Sequence, residues 1–170
     1  MTNYDVDTLL QGMVEKIKNN LEADSEQEPL MIGIHTGGVW VAERLHQMLG
    51  LNSPLGSLNI SFYRDDFTRI GMHPQVKPSN IPETVEDRHI ILVDDVLFTG
   101  RTIRAALNEI FDYGRPKNIC LAVLVERDGR ELPIQADIVG THVELAENEQ
   151  IKLSGPSPLS LSITATGEQA

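Results

Sequence analysis

Two adjacent carboxylates, Asp94 and Asp95, are followed after Val96-Leu97-Phe98 by a small polar turn, Thr99-Gly100-Arg101-Thr102. The pair and the turn suit different chemistry. Backbone N–H groups converge in a glycine-containing turn that opens a helix, the helix dipole adds positive potential, and two threonine hydroxyls can donate. That is a cradle for a phosphate. Carboxylates repel a phosphate, so the acids must serve hydroxyl groups or a metal ion on another part of the same ligand. A phosphorylated sugar satisfies both halves. The Walker loop is a poorer match, since no GxxxxGK[ST] run is present.

The elements that hold these residues can be read around them. His89 is followed by Ile90-Ile91-Leu92-Val93, four apolar and mostly β-branched residues that suit a strand buried on both faces and ending at the acids. Ile103, Ala106, Leu107, Ile110 and Phe111 then recur at helical spacing until Tyr113-Gly114-Arg115-Pro116 stops the helix. The same plan occurs earlier. Leu30 to Ile34 is an apolar run, His35-Thr36-Gly37-Gly38 a glycine turn, and Val39, Val41, Ala42, Leu45 and Leu49 mark a helix. Parallel strands place their following loops on one sheet edge, so the two turns should meet there.

The remaining segments complete an α/β pattern. Val6, Leu9, Leu10, Met13, Val14, Ile17 and Leu21 predict an amphipathic first helix. Leu55 to Phe62 reads as a strand, Asn118 to Val125 as a buried strand, and Ala136 to Gly140 as a short one. Glu126 to Pro133 reads as a charged turn, and the Ser/Pro/Thr-rich stretch from Gly155 to Ala170 as one edge strand that then frays. Thr68 to Pro82 has little periodicity and holds three prolines and a glycine, which suggests a functional loop or lid; Arg64, Arg69 and Lys77 supply cations that a diphosphate attracts.

Composition narrows the classes. A chain of 170 residues with 41% hydrophobic content suits one domain with one core. The formal net charge of −11 disfavours a surface that coats nucleic acid generally, though not a local basic face, for which Arg104, Arg115 and Lys117 are the candidates. Cys120 is the single cysteine and sits in an apolar run, which favours a buried inert thiol and excludes an intrachain disulfide. Without a secretory signal or an apolar run of membrane length, a cytoplasmic protein is expected.

The strand, the two acids and Thr-Gly-x-Thr closely resemble the PRPP-binding motif of type I phosphoribosyltransferases. YRDDF, VDDVLFTGRT, DYGRP, LAVLVERDGRELPI and ADIVG, in that order, resemble the PyrR family of pyrimidine-operon regulators and uracil phosphoribosyltransferases, from about Met31 to Gly140. The resemblance implies one domain over residues 1–170 with its core at about 30–140. That domain would have a central five-stranded parallel sheet flanked by helices, a small hood and a flexible lid loop. It implies conversion of uracil and PRPP to UMP and pyrophosphate, with Mg²⁺, in a homodimer or larger oligomer. It also implies regulation by UMP or UTP of binding to a pyrimidine-operon mRNA leader. By the same resemblance, Asp94 and Asp95 meet the ribose hydroxyls and position hydrated Mg²⁺, with Arg64 completing the catalytic set. Thr99, Gly100, Arg101 and Thr102 hold the 5′-phosphate, His35, Thr36, Gly37 and Gly38 the pyrophosphate, and Ile138, Val139 and Arg127 the base. In relatives acting on 6-oxopurines an acid commonly precedes the Thr-Gly pair; here that residue is Phe98, which points to uracil. The alternatives are a PRPP- or nucleotide-binding regulator without catalysis, and a phosphoribosyltransferase for another base.

Overall fold

The computed structural model describes residues 4–21, 26–60 and 78–167. Arg64, Arg69, Lys77 and residues 68–77 of the expected lid lie outside them. Five parallel strands form the main sheet in the order β2-β1-β3-β4-β5, where β1 is Leu30–Ile34, β2 Gly56–Leu58, β3 His89–Leu97, β4 Asn118–Arg127 and β5 Ile138–Val143. Helices α1 (Val6–Asn20), α2 (Gly37–Leu49) and α3 (Arg101–Tyr113) cover it.

The alternation of strand side chains divides the core in two. Met31, Ile91, Val93, Ala122 and Leu124 pack with Leu10, Met13 and Ile17 of α1 and Val41, Ala42 and Leu45 of α2. On the other face Leu30, Ile32, Ile90, Leu92, Leu121 and Val123 pack with Ile103, Ala106 and Ile110 of α3. β1 is buried at all five positions, as its unbroken apolar run predicts for a strand covered on both faces. Gly33 within it admits α2 closely: a Cβ there would lie 2.8 Å from the Val39 Cα and 2.9 Å from the Ala42 Cβ. α1 is capped by Asp5, whose carboxylate accepts from the Thr8 N–H at 3.2 Å and the Thr8 hydroxyl at 2.7 Å.

Several boundaries differ from the sequence reading, and for one reason: strands run as far as their neighbours pair with them. β3 does not stop before the acids. It continues to Leu97, because β4 runs beside it in register, with Asp94 opposite Val123, Val96 opposite Val125 and Leu97 opposite Glu126. β4 likewise absorbs Glu126 and Arg127 from the expected turn, and β5 begins at Ile138 and passes Gly140 to reach Val143. β2 is only three residues long.

The C-terminal segment is a correction of another kind. It is not an edge strand of the main sheet. Glu149–Ser154 (β6) and Ser160–Ala165 (β7) form a separate antiparallel hairpin, which Tyr4 joins through a bridge to Leu161. Leu153 and Leu161 sink into the α1/α2 side of the core, with Trp40 and Leu159 packed against it.

Candidate active site

The acids stand in the central strand of the sheet rather than beyond it. Asp94 is 5% exposed, and Asp95 beside it is partly buried. Each acid turns one oxygen onto the chain: Asp94 Oδ1 accepts from the Asp95 N–H at 2.9 Å, and Asp95 Oδ1 accepts from the Val96 N–H at 2.9 Å. These local bonds fix the side chains beside the backbone and leave the second Asp95 oxygen directed at the neighbouring strand's loop.

That neighbour is the first glycine turn. β1 and β3 pair directly, and the turn after β1 folds over the acids. A Cβ on Gly37 would sit 2.2 Å from Asp95 Oδ2, and one on Gly38 would sit 2.8 Å from the Val93 carbonyl oxygen and 3.0 Å from Asp94 Oδ1. Both positions require glycine because carboxylate and backbone occupy the space. The two turns expected to share a sheet edge are thus in contact. His35 is anchored through its N–H to the Leu58 carbonyl at 2.8 Å, the His35–Thr36 peptide is cis, and the exposed Thr36 stands at the N-cap position of α2 without a side-chain cap bond.

The second turn opens α3. Gly100 is its N-cap, with φ +93°, and no side chain caps the helix. That backbone is left-handed, and a Cβ would also meet the Ile134 side chain at 3.1 Å, so glycine is needed twice over. No side chain caps the first turn of this 13-residue helix, where an anion could bind. Thr99 Oγ1 lies 3.2 Å from the Arg101 nitrogen and accepts its N–H. The Arg101 guanidinium turns away to Glu131, 2.8 Å from its carboxylate.

At the carboxyl ends of β3 and β4, Arg127 stacks on the Phe98 ring, its guanidinium carbon 3.9 Å from the centroid. Phe98 is 41% exposed. Arg127 Nε is buried and finds no partner among the described residues. Ile138 and Val139 are not brought to this corner. Ile138 packs in the α1 side of the core at 2% exposure, and the Val139 carbonyl accepts from Lys16 at 2.6 Å. Val139 shares the row of Asp94, with Val123 between them, whereas Arg127 pairs with Val143 farther along β5. Sequence reasoning missed Arg130 and His142, which gather with Glu126 at the same corner: Glu126 lies 2.5 Å from Arg130 and 3.1 Å from His142 Nδ1. The i,i+4 spacing of Glu126 and Arg130 offered no signal outside a helix.

Cys120 is remote from this edge. Burial, with Asp137 nearby, pushes its thiol up to about 11, so it is a thiol and not a nucleophile near neutrality. It lines a cavity of about 230 Å³ with Asn20, His89 and Asn118 at the amino ends of β3 and β4, the edge opposite the acids.

Residues 5–153 match the phosphoribosyl transferase domain family. A bifunctional protein PyrR of Nitrosococcus oceani is 63% identical over 163 residues, covering 95% of this chain and 92% of that protein. The chain belongs to the PyrR family of phosphoribosyltransferases. A second PyrR, from Pseudomonas fluorescens, is 53% identical over 155 residues, covering 91% of this chain and 92% of that one. Among solved structures, a hypoxanthine-guanine phosphoribosyltransferase from Bacillus anthracis superposes with a TM-score of 0.65 at 18% identity, covering 84% of each chain. A purine phosphoribosyltransferase from Pyrococcus horikoshii gives 0.58 at 23%, covering 81% of this chain and 82% of that one. These last likenesses show the fold: the type I phosphoribosyltransferase architecture that the PyrR-family sequence encodes.

Proposed function

We propose that the protein transfers the phosphoribosyl group of PRPP to uracil, releasing pyrophosphate and UMP, and that UMP or UTP at the same site tunes a regulatory activity. The observation that carries this reading is the contact between the Gly37-Gly38 turn and the Asp94-Asp95 pair, with the uncapped α3 start next along the same strand. It supports one ligand that carries a diphosphate, vicinal hydroxyls and a monophosphate in that order.

The residues take complementary parts. Thr99 to Thr102 receive the 5′-phosphate through backbone N–H groups and hydroxyls. His35 to Gly38 receive the pyrophosphate, helped by Arg64. Asp94 and Asp95 accept from the ribose hydroxyls. Their oxygen donors also fit Mg²⁺, which keeps several waters and binds through one or two carboxylates plus substrate oxygens. Bound there, Mg²⁺ would neutralise charge on the departing diphosphate. No covalent nucleophile is needed; orientation of the two reactants and stabilisation of developing charge supply the rate.

The base is best placed against Phe98 and Arg127 at the carboxyl ends of β3 and β4 rather than against Ile138 and Val139. Phe98 neither accepts nor donates a proton. A 6-oxopurine would therefore lack general acid–base help typically worth about 10²–10⁴-fold, while uracil reacts through N1 without it. The test is turnover with PRPP, Mg²⁺ and uracil, hypoxanthine, guanine or orotate, in wild type, Asp94→Asn and Asp95→Asn. Uracil should be preferred, and each amide variant should lose one to a few orders of magnitude. Equal use of hypoxanthine, or wild-type rates in both variants, would overturn the assignment.

The regulatory half of the reading rests on the relatives' name, bifunctional protein PyrR, and on one surface. Arg104, Arg115 and Lys117 are exposed and make no ion pair among the described residues, and Phe111 and Tyr113 beside them are 56% and 47% exposed. Glu86 and Asp87 bond the backbone of Arg115, which dilutes the positive charge. Binding to a pyrimidine-operon leader should accordingly be narrow and of modest salt dependence. Gel-shift titration at several salt concentrations measures it; a steep salt slope with nanomolar affinity would contradict it. A homodimer or larger oligomer is part of the proposal, and sedimentation tests it.

A further inference from the structure

The turn between β4 and β5 is built onto the back of the phosphate loop, and three of its donors meet loop carbonyls. The Phe98 carbonyl accepts from Arg130 Nη1. The Thr99 carbonyl accepts from the Glu131 N–H at 3.0 Å and the Leu132 N–H at 3.1 Å. The Gly100 carbonyl accepts from the Arg104 N–H at 2.9 Å, inside α3. In a planar trans peptide the C=O and N–H point in opposite directions. Holding the Phe98 and Thr99 carbonyls on the outer side therefore aims the N–H groups of Thr99 and Gly100 to the inner side, where an anion would sit, while the Arg101 N–H donates to Thr99 Oγ1.

Among the described residues, Arg130 is the one side chain of the turn that reaches these carbonyls. Arg130 reaches the Phe98 carbonyl with one nitrogen and lies 2.5 Å from Glu126 with the other, and both side chains are largely covered, at 25% and 16% exposure. Glu126 also faces His142 through its second oxygen. Packing fixes the surroundings: Arg127 stacks on the Phe98 ring, and Gly129, with φ +119°, leaves no room for a Cβ, which would fall 2.4 Å from that ring.

We propose that Arg130, oriented by Glu126, is a positioning residue for phosphate recognition: it aims the Thr99 N–H into the cradle by holding the Phe98 carbonyl. Neither residue touches the ligand. The inference rests on the assignment of the 5′-phosphate to Thr99–Thr102, and the experiment separates the two. Calorimetric titration uses ribose 5-phosphate, UMP and uridine as probes, with the full chain as wild type, Arg130→Met, Arg130→Lys, Glu126→Gln and the Glu126→Gln/Arg130→Met pair.

Arg130→Met should weaken ribose 5-phosphate and UMP about tenfold, the factor that about 1.4 kcal/mol gives, and leave uridine unchanged. Arg130→Lys should recover part of the loss. Glu126→Gln should cost less, and the double variant should be no worse than Arg130→Met, because Glu126 acts through Arg130. In turnover, KM for PRPP should rise while KM for uracil holds. Unchanged phosphate affinity in Arg130→Met, or an equal loss for uridine, overturns the proposal. If Arg130→Met does not fold, additive losses from Arg130→Lys and Glu126→Gln do so. Failure of the wild type to bind ribose 5-phosphate would instead sink the phosphate assignment.

Discussion

Gly37→Ala tests the site where its two halves touch. The substituted Cβ would lie 2.2 Å from Asp95 Oδ2, 2.7 Å from its Cγ and 3.1 Å from its Cβ. Ordinary contact begins at 3.4 Å, so the carboxylate must retreat by about 1.2 Å, or the turn must lift by as much. Asp95 cannot rotate freely, because Oδ1 holds the Val96 N–H at 2.9 Å. Nor can the turn lift without disturbing the His35 N–H bond to Leu58 at its base. A displacement of about 1 Å in a group that orients substrate costs on the order of 10²-fold in rate. Little of the core is involved, and Gly37 is partly exposed at the start of α2. Steady-state turnover of uracil and PRPP should therefore fall by about two orders of magnitude, with a melting temperature within a few degrees of wild type. Gly37→Ala at wild-type activity would show that the position of Asp95 does not matter to catalysis. Loss of the fold would show that the turn is chiefly a structural joint.

Three further outcomes follow from other parts of the molecule. Gly12→Ala, in the exposed middle of α1 with nothing within 4 Å of an added Cβ, should stabilise by about 0.5–1 kcal/mol in urea denaturation, and destabilisation would mean that α1 is covered there. Arg88→Met should cost about 2–3 kcal/mol in the same measurement, because the buried guanidinium joins Glu83 at 2.9 Å, the Glu28 carbonyl at 2.9 Å and the Ser53 hydroxyl, and a loss under about 0.5 kcal/mol would show these contacts to be idle. The Asn52 N–H, and after it Ser53, hold Glu28 below its ordinary 4.5, so its ionised form is favoured in the folded chain. The stability it contributes is present above pH 4.5 and lost as pH falls through the folded value. Glu28→Gln should flatten the melting temperature between about pH 5 and 3 by a small amount, given its solvent screening, and an unchanged slope would remove Glu28 as a source of acid sensitivity.

What the sequence made legible is local, and what it hid depends on pairing between distant residues. Leu30–Ile34 is the strand its apolar run announces, and Thr99-Gly100 opens a helix as its chemistry requires. The end of β3 was not legible, because nothing near Asp94 says that Val123 to Glu126 will pair alongside it. The C-terminal hairpin was hidden for the same reason: Leu153 and Leu161 look unremarkable until α1 and α2 offer an apolar surface to receive them. The turn after β4 illustrates the limit most sharply. As sequence, Glu126 to Pro133 is a solvated charged loop, yet in the fold Arg130, Glu131 and Leu132 occupy the carbonyls behind the phosphate cradle. Charge in a loop normally signals exposure. Here it supplies donors to the Phe98 and Thr99 carbonyls, which Gly100, without a side chain, cannot supply. The proposed anion site would thus consist of one segment whose N–H groups face the ligand and a second, distant in sequence, that holds that segment's carbonyls.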